Sequence, residues 1–176
     1  MADLICPDTG IGVYQIESLR ELDAIAAIAC WGWDDRLRDM ARSPDPAIQA
    51  TLDCQTNWQG EPIARLPRVS DPQTAEDLSA LWSLQNAAKL ALLPVNQSIA
   101  WAAVAIEWVE SPSPKDYRTP FRLWPQKGGI QVAKTQAIAI CLGAIAQQGR
   151  MLNLDHPATA RLILPPLLQS APTAIA

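Results

Sequence analysis

Leu90-Ala91-Leu92-Leu93-Pro94-Val95-Asn96-Gln97-Ser98-Ile99-Ala100-Trp101-Ala102-Ala103-Val104-Ala105-Ile106-Glu107-Trp108-Val109 is apolar at nearly every position and does not alternate cleanly with period two. Alanine dominates its second half, and Trp101, Val104, Ile106 and Trp108 would fall on different faces of a helix. Read by helical period, the stretch splits at Pro94. One helix ends there, and Asn96 caps a second that runs from Ile99 to Val109 and is covered on several sides.

The flanking sequence supports the same reading. Upstream, Asp71-Pro72 supplies a cap and a first-turn proline, and Leu78, Leu81, Trp82, Ala88 and Leu92 form an inward stripe. Further back, Ser18-Leu19-Arg20-Glu21 has capping-box spacing, and the stripe Leu22, Ile25, Ala26, Ala29, Trp33, Leu37 and Met40 runs to Ser43-Pro44, with Gly32 as its weak point. Asp45-Pro46 opens a short helix to about Cys54. Downstream, Tyr117 to Leu123 is expected as a short helix interrupted by Pro120, Ile130 to Gln148 as a buried helix stopped by Gly149, and Asp155-His156-Pro157 as the start of a last helix ending at Pro165-Pro166. The expectation is an all-α fold, a compact single domain 1–176 of about six or seven helices. Leu78 to Leu92, Asn96 to Val109 and Ile130 to Gln148 form its central layer, 55–70 is a Pro-rich connector, and 1–16 and 169–176 are loose termini.

At 176 residues, 49% hydrophobic and 18% charged, the chain is long enough for one core and too apolar for a disordered or fibrous class. Its mean hydropathy is +0.01. Pro94, Asn96, Gln97 and Ser98 interrupt one apolar stretch, and Ala137 to Ala146 is only half the roughly 20 residues a membrane span needs. Met1 to Cys6 carries no basic residue, so it lacks the start of a secretory signal, and a cytoplasmic protein, or part of a particle assembled in the cytoplasm, is expected.

Few residues combine into chemistry. Cys6, Cys30, Cys54 and Cys141 are widely spaced, and His156 is the single histidine, so neither a metal site nor a disulfide frame is expected. Gly128 to Thr135 approaches a phosphate-binding loop but has Ala133 where a glycine must sit, and Phe121 to Pro125 before it is too broken to be a buried strand. His156 beside Asp155 at a helix start reads as a capping or surface residue, and Asp34-Asp35 and Glu76-Asp77 read as solvated faces, since neighbours along a helix diverge. No catalytic residue and no cofactor are assigned.

The aromatics and charges are more informative. Trp33, Trp82, Trp101 and Trp108 are expected in the core, whereas Trp58 and Trp124 lie in connectors, where an aromatic anchors a partner. Residues 1–112 carry a net charge of −9 and residues 113–176 a net charge of +5. Trp58, Lys115, Arg118, Arg122, Trp124 and Lys127 are therefore the expected interface. Arg118, Arg122, Lys127, Lys134 and Trp124 would also suit phosphate contact and base stacking, but a pI near 4.9 disfavours nucleic acid.

Leu93-Pro94 through Trp101-Ala102, followed by Glu107-Trp108-Val109, Pro112 and Arg118, resembles part of a small all-helical bacterial domain family of unknown function, over Leu92 to Met151. The resemblance implies a helical bacterial domain and transfers no catalytic residue. The expected function is a non-enzymatic structural or adaptor component of a larger protein assembly, of phage or injection-machine type, that binds protein partners including copies of itself. The alternative is a small-molecule sensor or enzyme with a pocket between helices.

Overall fold

Helix α1 (Leu19–Trp31) starts where Ser18 and Glu21 place it. The Ser18 hydroxyl accepts the Glu21 N–H at 3.1 Å, and the Glu21 carboxylate turns back to accept the Glu17 N–H at 2.7 Å. The helix ends at Gly32, left-handed at φ 69°, whose N–H reaches the carbonyls of Ala27 and Ile28. The expected long helix is therefore two, and α2 (Arg36–Arg42) folds back on α1. Helix α3 (Pro46–Asp53) follows, with the Asp45 carboxylate accepting the Ala47 N–H at 2.8 Å. This computed structural model describes residues 4–5, 12–54, 65–97, 99–108, 121–148 and 160–163.

Buried carboxylates hold the irregular segment from Arg65 to Thr74 against the helices. Asp23 of α1 accepts the Ser70 N–H at 2.8 Å. Asp77, at the third position of α4 (Ala75–Ala88), accepts N–H groups from Arg68, Gln73 and Thr74 and a 2.9 Å bond from Arg65. Thr74, rather than Asp71, caps this helix, and it closes a reciprocal capping box with Asp77. Asp77 is thus fully buried, not part of a solvated face.

The all-helical expectation fails from Leu90 onward. Helix α4 stops at Ala88, Lys89 turns the chain through a left-handed conformation at φ 49°, and Leu90 opens strand β3 (Leu90–Val95). Asn96 and Gln97 form a tight reversal at φ 49° and 57°, so Asn96 makes a turn instead of capping a helix. Strand β4 (Ala100–Trp108) returns antiparallel to β3, from Val95 opposite Ala100 to Leu90 opposite Ala105. Pro94 is tolerated because β3 is an edge strand.

Strands β5 (Phe121–Leu123) and β6 (Ile130–Ala133) lie end to end along the other edge of β4, so these four strands make an antiparallel sheet three positions wide. The loop between them carries the left-handed Gly128 and Gly129. A Cβ on Gly128 would stand 3.0 Å from the Gln147 backbone nitrogen, so glycine lets the loop press on the following helix. Ile130–Ala133, expected as helix, is strand, and α5 (Gln136–Gln148) begins only after Thr135, whose hydroxyl accepts the Ile138 N–H at 3.1 Å.

Helix α5 is the centre of the molecule. It packs on β3, β4 and β6 with one side and on α1 and α4 with others, and its Ile138, Ala139, Cys141, Ala144 and Ile145 are buried. Gly143 marks the closest approach to the sheet, since a Cβ there would lie 3.1 Å from the Ala103 Cβ and from both methyls of Leu90. A second sheet joins β1 (Leu4–Ile5) antiparallel to β2 (Gly12–Gln15) and β7 (Ala160–Ile163) parallel to β2. The expected last helix thus contains a strand, and the chain is mixed α and β with five helices and seven strands among the described residues.

Candidate protein-interaction surface

Directly paired residues in an antiparallel sheet share a face, so the register sorts the side chains. Leu90, Leu92, Trp101, Ala103 and Ala133 belong to the face turned to α5, where they join the core. The opposite face holds Ala91, Leu93 and Val95 from β3, Ala100, Ala102, Val104, Ile106 and Trp108 from β4, and Phe121, Leu123, Ile130 and Val132 from β5 and β6. Every one of these is apolar. Leu93 is 40% exposed, Ile130 57%, Val132 51% and Trp108 60%. Ala102 and Val104 in the middle strand are only 5% and 1% exposed, so this face presents a groove whose larger apolar rims on the two edges, and not its floor, are accessible. Single exposed apolar residues are ordinary, but a contiguous sheet face is not.

One end of the groove is aromatic. Trp108 and Phe121 pair across β4 and β5 with ring centroids 6.0 Å apart and planes at 76°, an edge-to-face contact. On the neighbouring register position Glu107 faces Arg122, which donates to it at 2.7 Å. Arg122 is largely exposed and Glu107 partly so, and solvent screening leaves this pair to hold register and add little stability.

Of the six residues expected at an interface, three lie among the described residues. Arg122 lies on β5, Trp124 opens the loop to β6, and Lys127 in that loop holds its Nζ 5.7 Å from the Trp124 ring centroid. Trp58, Lys115 and Arg118 lie outside the described residues, as does His156. The four tryptophans expected in the core divide. Trp33 and Trp101 pack against it, whereas Trp82 and Trp108 are exposed. Leu78, 42% exposed, stands one helical turn before Trp82, so the expected inward stripe of α4 is rotated and Leu81, Leu84 and Ala88 are the residues that face inward. The groove residues escaped the sequence reading because the pairs Phe121/Leu123 and Ile130/Val132 each give a single period-two step.

Elsewhere the polar groups are engaged in holding the fold. Glu21 is fully buried and receives the Arg38 guanidinium at 2.7 Å and that of Arg42 at 3.1 Å, which fastens α2 to α1. Removing one partner of such a pair costs more than the pair contributes, so it specifies this packing above all. Arg20 reaches Asp53 at 2.6 Å and Asp23 at 3.3 Å. Burial pushes the Asp23 carboxyl up to about 6 despite the opposing pull of Ser70 and Arg20. For Asp77 burial acts in the same direction but is outweighed by the donated N–H groups, and its pKa falls below the ordinary carboxylate value. Exposed Asp34 is lowered to about 2 by the Arg36 guanidinium that hydrogen-bonds it.

No catalytic constellation emerges from these groups. Burial raises the Cys30 thiol to about 12 and the Cys141 thiol well above its usual value, so neither is a ready nucleophile. Among the described residues no three His, Cys, Asp or Glu side chains gather as metal ligands, and no helix is long and apolar enough to cross a membrane. The residues between Gly129 and Lys134 are extended in β6, which removes the curled backbone that a phosphate loop requires. An open depression of about 380 Å3 beside Glu17, Arg20, Arg42 and Gln49 is lined by groups already committed to α1, α2 and α3.

The class defined by this geometry is a helix-backed antiparallel sheet whose outer face is apolar and exposed along its edges. No protein-family profile, curated protein or solved structure matches the chain.

Proposed function

We propose that the chain is a non-enzymatic structural or adaptor component of a larger protein assembly, and that it engages protein through the groove on the outer face of the β3–β6 sheet. The observation carrying this reading is the unbroken apolar register from Leu93 across Ala102 to Val132 and from Ala91 across Val104 to Ile130, exposed along both rims. An apolar surface of this kind gains most from a dry protein contact. Among the described residues its lining is apolar and sets no convergent polar groups to orient a small substrate.

The test is a photo-cross-linking side chain placed at Val132 of the full chain in the cells it comes from, with Asp45, exposed at the start of α3, as the control position. The reading predicts discrete protein adducts from position 132, lost when Leu93→Glu is added and absent from position 45. Equal, diffuse labelling at both positions, or no protein adduct at 132, would contradict it.

A further inference from the structure

The two edges of the sheet are built differently. In an antiparallel ladder alternate residues turn their N–H and C=O groups to the neighbouring strand, and the residues between them turn theirs away. The Ile106 N–H donates to the Lys89 carbonyl at 2.8 Å, so Ala91, Leu93 and Val95 bond to β4 in the same phase, and Leu90, Leu92 and Pro94 point outward. That edge is blunted. The Leu90 carbonyl accepts the Gln85 side-chain amide at 3.2 Å, and Pro94 has no N–H to offer.

The opposite edge is not. The Trp124 N–H donates to the Ala105 carbonyl at 2.6 Å, so the odd-numbered residues of β4 bond to this side. Gln131 and Ala133, which stand opposite Ala103 and Trp101, therefore bond to β4, and Ile130 and Val132 turn their N–H and C=O groups outward. Among the described residues β6 pairs with β4 alone, and the outward groups of Ile130 and Val132 meet no partner. Their side chains are exposed too, on the apolar outer face. An edge that leaves both its main chain and its apolar side chains accessible is a template for another strand.

We propose that the β6 edge takes up an extended segment of a protein partner as a further strand, whose main chain bonds to the N–H and C=O groups of Ile130 and Val132. This rests on the reading of the outer face as a protein-docking surface and states the form in which the partner arrives. The main-chain bonds require an extended occupant, and the side chains it places beside Ile130 and Val132 must be apolar, so its sequence alternates. Lys127 and Lys134, both exposed, stand before and after the strand and favour acidic residues at the ends of the segment. Pairing of two copies along β6 would instead bring the lysines flanking one strand toward those flanking the other.

The test adds peptides of about seven residues, with Val, Ile, Leu or Phe at alternate positions, Thr between them and Glu at both ends, to the isotopically labelled full chain. At least one peptide is expected to slow amide hydrogen exchange of Ile130 and Val132 by about tenfold or more and to leave Gln131 and Ala133, already bonded to β4, unchanged. N-methylation of the peptide amides that face the edge is expected to weaken binding by more than about tenfold, and N-methylation of the intervening amides by less than about threefold. Val132→Pro removes one outward N–H and no ladder bond, as Pro94 does in β3, and is expected to abolish binding with the unfolding midpoint little changed. If that variant does not fold, the N-methylated peptides decide alone. No slowing by any peptide overturns the proposal, and so does binding indifferent to which amides are methylated. A concentration-dependent dimer abolished by Val132→Pro also overturns it, since the occupant would be a second copy. If no peptide adds to the edge while cross-links from position 132 to another protein persist, strand addition is wrong and the docking surface stands. If both fail, so does the docking surface.

Discussion

At the scale of single residues, burial and exposure separate side chains that the sequence presents as equivalent. Trp82 and Leu84 lie on the same helix, yet Trp82 projects outward and Leu84 is 1% exposed. In monomer, Trp82→Ala is expected to shift unfolding free energy by no more than about 0.5 kcal/mol, and Leu84→Ala to cost about 2–5 kcal/mol, read from denaturant midpoints. Asp23 gives a pH signature of unusual sign. Its carboxyl holds a proton up to about 6 in the folded chain against 3.8 as its ordinary value, so the folded state binds that proton more tightly. The contribution of this group is most favourable below pH 3.8 and is lost as pH rises through about 6. Asp23→Asn keeps an oxygen for the Ser70 N–H and removes the titration. Its stability relative to wild type is expected to improve by on the order of 3 kcal/mol between pH 4 and pH 7. An unchanged difference across that range would show that Asp23 is solvated.

At the scale of elements, the junction of α4 with β3 and the seating of α5 on the sheet carry the architecture. Lys89 adopts φ 49° at the helix end, a conformation disfavoured by a side chain. Lys89→Gly is expected to raise stability by up to about 1 kcal/mol, measured by thermal unfolding. Gly143→Val forces methyls into the 3.1 Å gap before Ala103 and Leu90 and is expected to cost about 1–3 kcal/mol in the same measurement. Helices marked by local chemistry were legible in the sequence. Ser18 with Glu21 and Asp45 before Pro46 announce α1 and α3 through bonds made within four residues, and the apolar run from Ile138 to Ile145 marks α5. Strands β3 and β4 were not legible, for a physical reason. One face of the sheet lies on α5 and the other is apolar as well, so the alternation that identifies a half-solvated strand is missing. Among the alanines of β4, favourable in a helix, Ala103 is small where α5 approaches closely, and Ala102 on the other face is buried as well. The same two-sided apolarity hid the surface proposed to function.

At the scale of the whole molecule, the large exposed apolar side chains among the described residues lie mainly on the sheet, and the charge is divided along the chain in the same sense. The segment forming one rim of the sheet is basic, and the helical part before it is acidic. Arg122, Trp124 and Lys127 were anticipated as an interface from composition, but Arg122 pairs with Glu107 on the sheet face opposite Leu93, Ile130 and Val132, which form the groove rims. The central claim is that these apolar residues lie outside the core and are free to meet a partner. The most direct measurement is the denaturant midpoint of Ile130→Thr/Val132→Thr at a concentration where the chain is monomeric, since threonine keeps the β-branched shape and strand preference while adding a hydroxyl. A change of less than about 1 kcal/mol is expected, because both hydroxyls meet water. A loss of about 3 kcal/mol or more would instead place Ile130 and Val132 in a buried interior, with no surface left to meet a partner.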